Sequence, residues 1–482
     1  MRKRFEQQFA LGQMPIQDIV FTTRTRDRLS GLYRALQEIY LTPEYNEKIF
    51  SILEKEITDT KQKTGRPGMD LWILFILAQT RLCLDIDYDE LLYRANYDHL
   101  LRQLMGIEIP FETGHIFKYQ TIVDNVSLLS NEVLDEINEV ILTLGDQVFK
   151  KKEENGGDCL KTDSFVVRSN VHFPTDYNLL WDSGRKCLDV IKHFLNNYPE
   201  LKGWRKYKQW RKILKNGSRS VGMASKGGGK NKEVRQKTAV KEYLDGARKM
   251  SAKLHESKES FPQITVKDIG MSMQFDHFLQ LMDKHIDLLE RRILKGEKIP
   301  HEEKIFSIFE EYTEWITKGK LNPSVELGKK VLITTNQNNL IIDYLVMDHL
   351  SDSKSVIELC DRITKKIKTI KSWSFDKGFY SKKNKEYLAK VVENLIMPKK
   401  GKRNATETEE ETAKSFKLWR NRHSAVESNI NELEHCGLDR CPDRGYDNFQ
   451  RYIAMGVTAY NLRRIGKQLL AQDAAIKLKQ SA

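Results

Sequence analysis

The chain has 482 residues, 40% hydrophobic and 30% charged, with a formal net charge of +13. That length calls for two or three compact units with ample core and excludes a small disulfide-stapled module, and six cysteines in so long a chain fit a reducing compartment. No apolar run reaches the roughly 20 residues of a membrane span, and the opening MRKRFEQQFA lacks the apolar segment of a secretory signal; the expectation is a cytoplasmic, nucleoid-associated protein with no membrane partner.

Residues 15 to 150 read as helices. The stretch DLWILFILAQTRLCLDI at 70–86 is apolar almost all round, as a helix buried on every side must be, and YDELLYRANYDHLLRQLMG at 88–106 is amphipathic at helical spacing. The break GRPG at 65–68 precedes the first, and 119–149 supplies a third helical stretch. Together they predict an N-terminal all-helical domain over 1–150, with Gly156 and Gly157 at its exit and Arg94, His99 and Arg102 available for DNA contacts. The segment CLKTDSFVVRS at 159–169 has strand composition. Helical patterns resume from Tyr177 to Tyr312, and two β-rich runs within 329–347 flank Asn336 to Asn339 as a hairpin. A helix near 353–368, a strand at 370–376, a short helix, a strand at 391–398 and a long helix from Glu409 to His435 follow, with 451–482 as a C-terminal helix and tail. This succession predicts an α/β catalytic domain over 158–175 and 304–450, a mixed sheet flanked by helices, interrupted by a helical, basic insertion at 176–303.

Nearly all the excess charge lies in that insertion. From Lys202 to Lys237, thirteen Lys and Arg face one acid, Glu233, for a net +12. In KGWRKYKQWRKILK at 202–215 the bases interleave with Trp204, Tyr207 and Trp210, and 216–232 is a Gly/Ser/Lys-rich loop. A plain solvated face would need no such aromatics, so nucleic acid is the expected partner. Arg205, Lys206, Lys208, Arg211, Lys212, Lys215, Arg219, Lys226, Lys230 and Lys232 are the candidate phosphate contacts, and Trp204 and Trp210 are read as helix packing. Cys436 and Cys441, near His423 and His435, lack the second Cys pair of a zinc site and are read as free thiols.

Three acids stand out by position. Asp163 opens the apolar run Phe165, Val166, Val167, where a carboxylate is costly without a cation, and Arg168 points away from it in an extended segment. Asp376 ends the strand IKSWSFD just before Gly378, at the carboxyl end where open sheets place ligands. Glu427 lies on the flank of a helix whose apolar face is Val426, Ile430 and Leu433. Three acids from two strands and a helix are poor neighbours unless cations lie between them, and oxygen donors suit a pair of Mg²⁺ ions poised for phosphoryl transfer.

The segments TDSFVVRSNVHFPTDYNLLWDS at 162–183, EWITKGKLNPSVELGKKVLI at 314–333, FDKGFYSKKNKEYL at 375–388 and HSAVESNINELEHCGLDRCPDRG at 423–445 resemble the catalytic blocks of bacterial insertion-sequence transposases of the DDE class, with an RNase H-like catalytic domain. The resemblance runs from about residue 65 to 470. It implies that Asp163, Asp376 and Glu427 are the catalytic, metal-binding triad, holding two Mg²⁺ ions for which Mn²⁺ can substitute. It further implies a transposase that binds terminal inverted repeats, cleaves DNA and transfers a strand to target, with double-stranded DNA as partner and a homodimer or larger assembly holding two ends. Asn170, His172, Pro174, Thr175 and Asp176 match the motif after the first aspartate, with no metal role. Some relatives carry Tyr, Arg and Lys around the glutamate where this chain has Arg420, His423 and Glu434; Arg420 and Arg422 are the candidate compensating DNA contacts. The insertion also comes earlier in the fold than in better-known relatives. The alternatives are an RNase H-like nuclease without strand transfer and a catalytically silent DNA-binding derivative.

Overall fold

The computed structural model describes residues 2–5, 14–22, 27–58, 68–107, 116–149, 157–317 and 324–480. The sequence readings at 65–67, at Gly156, across most of the first ten residues and at 318–323 lie outside them. The chain forms two compact units, Met1–Asn170 with Ile316–Ala482, and Val171–Trp315.

The first unit begins with α1 (Arg28–Leu41), α2 (Pro43–Thr58), α3 (Leu71–Leu84), α4 (Tyr88–Tyr97), α5 (His99–Leu104), α6 (Tyr119–Val126) and α7 (Asn131–Val148), and enters the sheet at β1 (Asp158–Arg168). The second unit holds α8 (Asp176–Asn197), α9 (Tyr207–Ser225), α10 (Lys232–Lys258) and α11 (Val266–Leu289). The chain then continues through β2 (Glu314–Thr317), β3 (Val325–Thr335), β4 (Ile341–Val346), α12 (Asp352–Lys366), β5 (Ile370–Phe375), α13 (Lys382–Leu388), β6 (Val392–Ile396), α14 (Ala405–Thr412), α15 (Lys414–His423), α16 (Ala425–Leu433) and α17 (Tyr446–Gln480).

As its composition demands, α3 is buried at every position from Leu71 to Cys83. The amphipathic stretch 88–106 is two helices, because the Asp98 carboxylate caps a new start by accepting from Leu101 N at 3.0 Å. Ser130 divides 119–149 in the same way, its Oγ accepting from Val133 N at 3.2 Å. The long helix expected from Glu409 to His435 is three helices. Ala413 leaves helical geometry at ψ 143°, and the Ser424 hydroxyl turns back onto Asn421 O at 2.8 Å. In the second unit α-helix stops at Leu289 instead of running to Tyr312, since Gly296 at φ 70° and Pro300 end the pattern. Its core is built from residues such as Leu188, Phe194, Leu214, Tyr243 and Met282. Trp204 and Trp210 pack against that core as expected, Trp204 donating Nε1–H to Ser257 Oγ at 2.8 Å.

The six-stranded sheet runs β2-β3-β1-β5-β6, with β4 also on β3. β3 is antiparallel to β1 and β4, whereas β5 and β6 run parallel to β1. Even-numbered β1 residues share one face with Leu332, Trp373 and Phe375, and that face packs on Val356, Leu359 and Ile363 of α12. Cys436 and Cys441 are buried and form no disulfide, and the same holds for the other four cysteines. Among the described residues no helix is long and apolar enough to cross a membrane.

The 35-residue α17, about 52 Å long at 1.5 Å per residue, packs against α1, α3 and α7. Its approach to α1 is made at two glycines: a Cβ at Gly466 would lie 1.6 Å from Gly31 O. Gly466→Ala should therefore force the helices apart and cost upwards of about 1–3 kcal/mol, read as a lower unfolding temperature. Gly270→Ala, in an exposed part of α11 where a Cβ meets nothing within 4 Å, should instead be neutral or stabilising by about 0.5–1 kcal/mol.

Candidate active site

Parallel pairing of β1 with β5 sets Lys161 opposite Ser374 and Thr162 opposite Phe375. The next step in that register brings Asp163 beside Asp376, two carboxylates on one face of adjacent strands. β5 ends at Phe375, so Asp376 is exposed at the strand's carboxyl end, while Asp163 lies within β1 and is half-buried. Glu427 sits exposed in the first turn of α16, a helix that packs against β1 and is anchored by buried Val426 and Leu433.

Burial pushes the Asp163 carboxyl up to about 6; the N–H of Ser164, 2.7 Å from Oδ1, works against this, and the charges of Asp376, Asp352 and Glu427 add to it. The three acids singled out in the sequence are thus electrostatic neighbours. A fourth, Asp352 in the first turn of α12, was not singled out. It accepts from Ser164 Oγ at 2.9 Å and Lys330 Nζ at 3.0 Å, a convergence of three elements that no local pattern reveals. It also gives Gly378 a role: that residue is not at positive φ, but a Cβ there would come within 3.3 Å of Asp352 Oδ2, so its lack of a side chain leaves clearance for the carboxylate. Arg168 ion-pairs with Asp439 and does not neutralise Asp163.

Two further groups lie on the carboxylates' face of the sheet. His423 Nδ1 is 3.0 Å from Ser374 Oγ; burial pushes the imidazole down to about 4, with Asp376 opposing and Lys161 assisting, so it is neutral at pH 7. Burial, then Arg464 and Arg422, push the Lys161 ammonium down to about 8. Arg420 and Arg422 are exposed on α15, Arg422 lying 4.6 Å from the Trp419 ring centroid.

The remaining candidate cations fall into two groups. Lys208, Lys212, Lys215 and Arg219 form an exposed stripe along α9, at i, i+4, i+7 and i+11, with no acidic partner among the described residues. Arg205, Lys206, Lys226, Lys230 and Lys232 are also exposed. Arg211 is not free, since it pairs with Asp189 at 2.8 Å. In the N-terminal helices Arg102 is buried and donates to Ala95 O at 3.0 Å, and Arg94 pairs with Glu90 at 2.8 Å, leaving only His99 of that trio exposed and without such a partner.

An all-oxygen donor set of Asp163, Asp376 and Glu427 fits a hard divalent cation, and a carboxyl that holds its proton to about pH 6 gains most from one. Among the described residues the three do not close into a single ligand set with all donor atoms within 4.8 Å of one another.

The raised Asp163 carboxyl sets a pH dependence. Folding raises its proton affinity above the ordinary value of 3.8, so the folded state binds more protons between about 4 and 6, and the burden appears as pH rises through that window. In metal-free buffer Asp163→Asn should be more stable than wild type above pH 6, by on the order of 1–2 kcal/mol, and equal to it below about pH 4. Melting curves of both proteins from pH 4 to 8 check this; His423 is common to the two and cancels.

Residues 296–462 match the family described as the Transposase DDE domain, a span containing Asp376 and Glu427 and beginning after Asp163. Comparison with curated proteins found no match, and comparison with solved structures found none. The mixed six-stranded sheet flanked by helices is that of an RNase H-like DDE domain. A domain of this class supports transposase activity in general and the use of divalent metal ions, and the match identifies this part of the chain as a DDE-class transposase domain.

Proposed function

We propose that this protein binds the terminal inverted repeats of an insertion sequence, cleaves DNA at them and joins the freed 3′-hydroxyl to target DNA, with Asp163, Asp376 and Glu427 as the catalytic triad. The observation that carries this reading is the β1–β5 register, which sets Asp163 beside Asp376, with Glu427 near enough to raise the Asp163 proton affinity. Two Mg²⁺ ions held by these carboxylates would supply Lewis-acid stabilisation of the transferring phosphoryl group. Exposure of Asp376 and Glu427 leaves the carboxyl end of β5 open to a duplex. Lys330 and Ser164 hold Asp352 in place, so its charge is compensated without a metal.

Binding in this reading is divided by chemistry. Arg420 and Arg422 contact phosphates beside the triad, and the α9 stripe with its neighbouring lysines neutralises phosphates elsewhere on the duplex. The helices of 1–150 recognise the repeat sequence, the 176–303 insertion adds the basic surface, and 158–175 with 304–450 performs the chemistry. Two ends must be held together, which calls for a dimer or larger assembly on DNA.

Two measurements test this. Asp163→Asn, Asp376→Asn and Glu427→Gln should each abolish Mg²⁺-dependent cleavage of DNA carrying the element's repeats while DNA affinity stays near wild type; near-normal cleavage by any one removes that residue from the site, and cut ends without joined product make the enzyme a nuclease. Changing Lys208, Lys212, Lys215 and Arg219 together to Gln should lower the magnitude of the log K against log salt slope by roughly 3 to 4, at about 0.9 per contact. The loss should be alike for repeat and random DNA, and an unchanged slope makes the stripe a solvated face.

A further inference from the structure

Two residues before Asp163, on the same face of β1, Lys161 lines a cavity of about 400 Å³. Arg422, Asn339, Ser374, Asn421 and Ser428 contribute to its wall, and no Asp or Glu does. Lys161 Nζ donates to Asn339 Oδ1 at 2.7 Å and makes no ion pair among the described residues. Asn339 is itself held: its backbone is in the left-handed region at φ 60°, and its carbonyl accepts from Tyr460 Oη at 3.0 Å. The ammonium is therefore aimed by a neutral amide fixed in a turn, with donor capacity left over. A half-buried ammonium and an arginine facing hydroxyls and amides, with no carboxylate to compensate them, form an environment whose missing component is an anion.

The position of the cavity identifies that anion. Lys161 and Ser374 are opposite each other on β1 and β5, each two residues before a triad aspartate, and Ser428 follows Glu427 directly. Two residues along a strand span about 7 Å, so the cationic wall begins one short step from the carboxylates. A single DNA strand laid along this face presents one phosphate to the carboxylates and its neighbour to Lys161 and Arg422.

We propose that the Lys161–Arg422 cavity holds the phosphate next to the scissile one on the strand being cut, making Lys161 a positioning residue that fixes where along the strand the enzyme cleaves. This rests on the reading that the triad cuts DNA. Asp163, Asp376 and Glu427 receive the reacting phosphate, whereas Lys161 and Arg422 touch only its neighbour.

The test uses the full chain and repeat-bearing oligonucleotides in which one phosphate at a time, on either side of the cleavage point, is replaced by an uncharged methylphosphonate. Binding is measured with Ca²⁺ and cleavage with Mg²⁺. With wild type, one flanking position should weaken binding by roughly tenfold or more, the size of a lost hydrogen bond to a charged group. Lys161→Gln should show a similar loss on unmodified DNA and no additional loss at that position, Lys161→Arg should restore the wild-type pattern, and cleavage by Lys161→Gln should spread to neighbouring bonds. Penalties that multiply at every position overturn the proposal, as does a cavity filled by added inorganic phosphate with DNA binding unaffected. Arg422→Gln, at an exposed position where folding is not at stake, should reproduce the loss of position dependence and carries the test if Lys161→Gln does not fold. If wild type binds with this position dependence but never cuts, the cleavage reading fails and the phosphate site stands; if it cuts with no flanking position sensitive to Lys161, the site fails and the cleavage reading stands.

Discussion

The parallel register between β1 and β5 is the constraint on which the site depends. Thr162 opposite Phe375 sets the neighbouring pair, Asp163 and Asp376, at one level on one face, and a slip of one residue would turn one carboxylate to the α12 side. The register is held by apolar and polar contacts on that opposite face. Trp373 Nε1 donates to Thr162 Oγ1 at 2.8 Å, Thr162 and Thr334 hydroxyls meet at 2.8 Å, and Leu160, Trp373 and Phe375 share the core with α12. The alignment of two carboxylates that repel each other is thus maintained by burial on the far side of the sheet.

What surrounds the carboxylates is a graded charge arrangement. Asp352 is neutralised by Lys330, Asp163 is left half-buried among other acids, and a few ångströms along the strands the balance reverses to Lys161 and Arg422 with no acid. Carboxylates gathered in this way cost stability in the metal-free protein, a cost that a cation would relieve. His423, neutral beside Ser374, adds no charge to either zone at pH 7.

The second unit separates packing from charge on the same helix. On α9, Leu214, Ser218 and Val221 face the core while Lys208, Lys212, Lys215 and Arg219 occupy the far side. The tryptophans that interleave with the bases belong to the packed side, Trp204 buried and Trp210 partly so. Removing charge from the stripe should therefore leave the fold of this unit intact.

The sequence by itself determined where most helical and strand segments lie and which acidic and basic residues are the candidates for the chemistry. The apolar, all-round character of 70–86, the hairpin at Asn336 to Asn339, the strands containing or preceding Asp163 and Asp376, and the basic run at 202–237 each follow from periodicity or composition over a short window, and the fold has them there. Helix ends were less legible. The new starts after Asp98 and Ser130 are capped by single side-chain hydrogen bonds, and helical periodicity continues across them. Availability was not legible at all: Arg102 is buried on Ala95 O, and Arg211 is engaged by Asp189, although their sequence surroundings match those of exposed cations. Only the tertiary structure decided that Asp352 adjoins Asp163 and that the Lys161 ammonium is held by a neutral amide, because the partners, Lys330 and Ser164 for one and Asn339 for the other, convene only when the strands pair.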